Sequence, residues 1–222
     1  MIVSIPKYKG FSAVSPGNRR WFVHRVLAAG YDPRALAEVI EFESAREWKP
    51  DTAYKATGGA RTGLIQFTAG GGAKMVGKTT KELSRMTFRE QLEYVIKYLD
   101  RWGPLRLNDA KNGVNNYHLA CWGEAVGAPK SYVLASTEKN ARAYEGNRKS
   151  LDKYPPYGEI SVGELDRVTR ENALSGANGE FIFDTTAPLT VDEAVGDVGE
   201  TVPQWLETVI GAEYWRLMKD AR

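Results

Sequence analysis

The sequence predicts a mainly α-helical fold, because helix start and stop signals recur along it while strand signals are sparse. Three observations carry that expectation. Ser15-Pro16 and Asp32-Pro33 each place an N-capping side chain before a proline, which fits the first helical position. Thr79 and Glu82, Thr87 and Glu90, and Ser161 and Glu164 all have capping-box spacing. Leu92, Val95, Ile96 and Leu99 share one face at helical period.

Taken in order, the first helix starts at Pro16, runs through RRWFVHRVLAAG and stops at Gly30. A second runs from Arg34 to Arg46; Lys49, before Pro50, is disfavoured from helical geometry. Residues 51–73 are rich in Gly, Thr and Ala and read as loop with a short hairpin. The run FREQLEYVIKYLDRW forms an amphipathic helix that Gly103-Pro104 ends. NNYHLACWGEAVG reads as a mostly buried helix, and Ser131 to Tyr144 as another. KYPPYG is a turn at a composition shift near residue 150. A short helix follows Ser161, SGANG is loop, FIFDTT is a short strand, and residues 190–220 form one or two closing helices. The expected organisation is one domain over 1–150 and a small helical C-terminal extension over 151–222 that docks onto the core or onto a partner.

A chain of 222 residues, 42% hydrophobic and 26% charged, has the composition of a folded domain rather than a disordered one. Its net charge of +2 is too even for a dedicated nucleic-acid binder, and Arg19-Arg20 and Arg148-Lys149 are too small as basic patches. The single cysteine, Cys121, excludes an intrachain disulfide and reads as a small buried hydrophobe. The opening MIVSIPKYKGFSAVSPG reads as neither signal peptide nor membrane span. No metal is expected: Lys153, Tyr154, Pro155 and Pro156 follow Asp152 where a calcium loop needs oxygen ligands. No cofactor is expected either, since the glycines 70–72 and Lys74 lack P-loop order.

One residue invites a chemical role. Leu36, Val39 and Ile40 define an apolar stripe, and the next position on it is Glu43, with Glu38 and Glu41 pointing elsewhere. A carboxyl on an apolar face loses water, which favours the protonated acid and suits proton donation. Glu47, one turn on, lies nearer the helix end and next but one to Lys49, where it is expected to be solvated. The plain alternative is that Glu43 faces solvent at the rim of the stripe, and periodicity alone favours it.

Motif order points the other way. Glu43-Ser44, Trp48, Pro50, Gly59-Ala60 and Gly63-Leu64-Ile65-Gln66, followed by MVGKTTKELSRMTFREQLEYVIKYL, resemble the lytic transglycosylase and goose-type lysozyme superfamily in its phage-type branch. The resemblance covers roughly residues 20–150. Against the family spacing, one extra residue stands between Ala60 and Gly63, and the stretch from Glu43 to Gln66 is long. The resemblance implies a lysozyme-like α+β catalytic domain that cuts the glycan strands of peptidoglycan. Glu43 is then the single acid/base. It protonates the glycosidic oxygen and takes the proton of the muramyl 6-hydroxyl, so that a 1,6-anhydro end forms without water, unlike the two-carboxylate glycosidases.

The same resemblance makes Ser44 a hydrogen-bonding partner near the sugar; its plainer reading is a polar residue at a helix end. It makes Gly63, Leu64, Ile65, Gln66 and Phe67 the cleft lining, although Leu64, Ile65 and Phe67 read as core without it. Tyr117 and Tyr144 fall where relatives carry cleft tyrosines, Tyr117 in reach of the Glu43 carboxyl, with a plain core role as the alternative for Tyr117. His118 reads as packing or surface. The resemblance further implies a phage origin and a place in the virion or release as an endolysin, with phage tail or other virion proteins as partners and the host periplasm and cell wall as destination. Two other readings stay open: a goose-type hydrolase using Asp51 to hold water, and a non-catalytic structural virion protein.

Overall fold

The computed structural model describes residues 1–123, 125–152, 158–190 and 193–194. Helices with small two-stranded sheets make up the described chain, as the start signals and sparse strand signals require. In chain order, β1 (Ile2–Pro6) and α1 (Lys9–Ala13) lead into α2 (Pro16–Ala28) and α3 (Pro33–Glu43). A hairpin of β2 (Arg61–Thr62) and β3 (Phe67–Thr68) precedes α4 (Gly72–Met75), α5 (Thr80–Leu83) and α6 (Phe88–Leu99). Then come α7 (Pro104–Leu107), α8 (Asn116–Cys121), β4 (Val133–Ser136), α9 (Ala141–Leu151), β5 (Glu159–Ser161), α10 (Val162–Leu174) and β6 (Glu180–Asp184).

The chain forms two compact units, Met1–Tyr98 with the part from Gly176 onward, and Leu99–Ser175. This division follows pairing rather than the composition shift near residue 150. In the first unit β6 returns to lie antiparallel to β1, from Ile2 opposite Asp184 to Pro6 opposite Glu180. In the second, β4 pairs with β5 through an irregularity between Val133 and Ala135.

Local signals act where expected. The Ser15 side chain accepts from Asn18 N–H, and Asp32 accepts from Arg34 and Ala35 N–H. Both bonds of the capping box are present at Thr79/Glu82 and at Ser161/Glu164. At the third box, Thr87 N–H donates to the Glu90 carboxylate at 2.7 Å and Glu90 N–H to the Thr87 hydroxyl at 3.3 Å. Leu92, Val95, Ile96 and Leu99 are buried together on α6.

Three expectations need correction. The helix expected over 131–144 is instead strand β4, then a turn, then α9. Ser136 closes that turn by accepting from Glu138 and Lys139 N–H, and Asn140 takes φ 53° before the helix begins. The second helix ends at Glu43, not Arg46, because Ala45 and Arg46 turn left-handed at φ 50° and 69°. Cys121 is half-buried rather than enclosed. β1 and α1 carried no local signal, and β1 exists through a partner 174 or more residues away. The KYPPYG turn lies outside the described residues except for Gly158, as do the closing helices except for Thr190, Glu193 and Ala194.

The first unit is organised around an aromatic core. Phe11 packs against Trp48 at a tilt of 40° with ring centroids 4.8 Å apart, and Phe22 meets Phe11 and Trp48 edge-on, each at 5.6 Å. Phe181 of β6 closes on Phe11 at 5.8 Å and Phe88 of α6 on Trp48 at 6.1 Å. Such contacts contribute about 0.5–1.5 kcal/mol each beyond area burial.

Candidate active site

Glu43 is the last residue of α3 and is half-buried, with the buried stripe Leu36, Val39 and Ile40 behind it. A half-buried carboxyl at a helix end combines fixed backbone geometry with access from outside. Glu47, by contrast, is exposed and accepts from the Thr52 hydroxyl at 2.9 Å.

The reading that Glu41 points elsewhere is incorrect. Glu41 is fully buried, and its carboxylate accepts from Gly10 N–H at 2.8 Å, Phe11 N–H at 3.1 Å and Trp48 Nε1–H at 2.6 Å. It satisfies the open N–H groups at the start of α1 and fixes the indole that anchors the aromatic core. Gly10 is required there, because a Cβ would lie 2.3 Å from the Arg46 carbonyl oxygen and 2.6 Å from Trp48 Cδ1. No sequence signal separates Glu41 from Glu43 by burial, since two of its three partners come from a segment 30 or more residues away. Glu41 is the structural carboxylate and Glu43 the accessible one.

Ser44 caps α3 and is fully buried, its hydroxyl oxygen accepting from Trp48 N–H at 3.1 Å. That is the plainer of its two readings, and the bond has a definite effect, folding the chain sharply back after Glu43. Further on, the chain is braced by side chains. Thr62 donates through its hydroxyl to the Pro50 carbonyl at 2.7 Å, and Gly63 N–H donates to the Thr52 carbonyl at 3.0 Å. Leu64, Ile65 and Phe67 are buried as core side chains of the hairpin.

Gln66 sits between them at φ 54°, half-buried. Its amide nitrogen donates to the Gly63 carbonyl at 3.0 Å and reaches the Thr52 carbonyl at 3.4 Å. Two carbonyl acceptors fix which end is nitrogen, so Oε1 is left as the acceptor for an incoming N–H.

The residue that fastens this frame is Gln91 on α6, fully buried. Its oxygen accepts from Leu64 N–H at 2.8 Å, and its nitrogen donates to the Pro50 carbonyl at 3.0 Å and the Leu83 carbonyl at 2.8 Å. Gly63, at φ 85°, must lack a side chain, because a Cβ would fall 2.1 Å from Gln91 Oε1. Gln91 stands in the motif Met86-Thr87-x-x-x-Gln91-Leu92, but spacing alone gives no hint of its three bonds.

Backbone strain concentrates in the same stretch. Of the six non-glycine residues with positive φ among the described residues, Ala45, Arg46, Trp48, Ala53 and Gln66 fall between Glu43 and β3. Each left-handed residue costs about 1–2 kcal/mol, and such strain persists where the surroundings over-determine it.

Tyr117 and Tyr144 belong to the second unit, and both are buried there. Within that unit the Tyr117 hydroxyl donates to Asn108 Oδ1. Tyr144 donates to Asp152 Oδ2 at 2.8 Å, a bond to a carboxylate that pushes its phenol above the usual range. His118 is buried against the Thr169 hydroxyl, a packing position. Among the described residues no group of His, Cys, Asp and Glu side chains converges as a metal site, and no helix is long and apolar enough to cross a membrane. Comparison with protein-family models, curated proteins and solved structures gives no match to this chain.

Proposed function

We propose that this protein is a lysozyme-like peptidoglycan lytic transglycosylase of the phage type, with Glu43 as its acid/base. The observation that carries the reading is the bonded frame between Glu43 and Gln66. Ser44 turns the chain back after the half-buried Glu43. Thr52 and Pro50 bind the hairpin turn, and Gln91 fastens Pro50 and Leu64 to α6. Three motifs separated in sequence, around Glu43, Gly63–Gln66 and Thr87–Gln91, thus share one hydrogen-bonded scaffold. The motif order has a physical basis, and the strain gathered there accords with a segment held for chemistry rather than for stability alone.

In this reading Glu43 donates its proton to the bridging oxygen as the bond to the anomeric carbon breaks. The resulting carboxylate takes the proton of the muramyl 6-hydroxyl as that oxygen bonds to the same carbon. The acid is regenerated and no water is consumed, so one carboxyl suffices. Gln66 Oε1 accepts an N–H from an N-acetyl group of the bound strand. The setting is penetration of a host cell wall or release through it, as a virion component or an endolysin. The test is release of soluble fragments from purified peptidoglycan by the wild-type chain and by Glu43→Gln. Release by the wild type alone supports the reading; equal release by both, or by neither, contradicts it.

A further inference from the structure

A charged pocket of about 390 Å³ opens on the first unit, a volume within the range of small-ligand sites, about 300–1,000 Å³. Ala69 and Thr80 form part of its wall, and Lys74, Lys78 and Glu82 supply its charges. It is bonded to the chain that leads into β2 of the hairpin. Ala69 N–H donates to the Ala60 carbonyl at 3.0 Å, and the Thr80 hydroxyl donates to the Gly59 carbonyl at 2.6 Å.

The three charges are unequal in freedom. Glu82 is committed: it accepts from Thr79 N–H and from the Thr79 hydroxyl, both at 2.8 Å, and lies 3.6 Å from the Lys78 ammonium. Those bonds, the Thr79 N–H first, hold its carboxyl below the usual range. Lys78 is held between Glu82 and Tyr94, whose ring centroid is 5.5 Å from its nitrogen. The Lys74 side chain is exposed, and its ammonium makes no hydrogen bond or ion pair among the described residues. Two ammonium groups against one carboxylate leave one net positive charge, which suits a single carboxylate. A doubly charged phosphate would meet repulsion from Glu82 without a second free cation.

We propose that this pocket receives a carboxylate of the peptide stems carried by the glycan strand, with Lys74 as the binding cation. The inference rests on the reading of the Glu43–Gln66 segment as the glycan site, since stems project from the sugars bound there. Lysine acts as a point charge suited to one carboxylate oxygen pair.

The test is isothermal titration of the full chain with a free stem tripeptide containing D-glutamate, and with the same peptide amidated at its carboxyls. The proteins are wild type, Lys74→Met and Lys81→Met; Lys81 is an exposed lysine outside the pocket lining. An exposed charge pair is worth a few-fold in affinity. The expected result is about fivefold weaker binding on Lys74→Met and on amidation, with Lys81→Met unchanged. No binding by the wild type, or equal binding by wild type and Lys74→Met, overturns the proposal. Cleavage of stem-free glycan, measured alongside, separates the two readings. Binding through Lys74 without cleavage sinks the catalytic role and leaves the pocket. Cleavage without tripeptide binding sinks the pocket alone.

Discussion

Two glutamates, two residues apart, divide the work on α3. Glu41 points inward to three N–H donors, and Glu43 sits half-buried at the helix end. The carboxylate of Glu41 offers only acceptors, so Glu41→Gln turns an amide NH₂ toward buried N–H groups. That substitution is expected to lower stability by about 2–4 kcal/mol, read from chemical denaturation. Glu43→Gln, at a half-buried helix end, is expected to cost less than Glu41→Gln. The reverse order would mean that Glu43 is the structural carboxylate. Periodicity distinguished the stripe but not the two roles. Helical spacing reports a residue's direction around its own axis, whereas the burial of Glu41 depends on α1 packing over it from elsewhere in the chain.

At the scale of elements, the hairpin between β2 and β3 depends on what α6 offers it. Gln91 gives Leu64 N–H an acceptor and ties the Pro50 carbonyl to the same amide. Gly63→Ala adds a methyl 2.1 Å from the Gln91 oxygen, at a φ of 85° that a side chain disfavours. A loss of about 2–4 kcal/mol follows, from overpacking together with left-handed strain. The amide protons of Leu64 and Gly63 should then exchange faster with solvent; unchanged exchange would contradict the bracing role. Capping boxes and proline starts were legible because they involve bonds over three or four residues. Strand β4 was not, because Val133–Ser136 is strand only by pairing with β5, more than twenty residues on.

On the whole-molecule scale, the first unit is closed by chain returning from far along the sequence. β6 pairs with β1, and beyond it Arg20 donates to the Ala187 and Pro188 carbonyls and pairs with Glu193 at 2.8 Å. His24 lies buried on the same helix as Arg20, its Nε2 lacking a hydrogen-bond partner among the described residues. Burial first, then the Arg20 charge, hold its imidazole below the ordinary value of 6.5, against the opposing pull of Glu193. The unfolded chain therefore takes up this proton more readily than the folded one. Stability is complete above pH 6.5 and is lost as pH falls from there toward the lower folded value. The carboxyls of Glu193 and Asp184 are held low as well, but their windows begin at 4.5 and 3.8. Melting temperature should thus drop between pH 7.5 and 5.5 in the wild type and less in His24→Phe; equal slopes would remove His24 as the cause.

The central claim concerns what Glu43 does alone, and the mass of the fragment ends tests it most directly. Soluble fragments released from purified peptidoglycan by the wild-type chain should end in 1,6-anhydro-muramic acid, and Glu43→Gln should release none. Reducing ends, heavier by one water, would contradict the single-carboxyl mechanism and turn attention to a second acid such as the exposed Asp51.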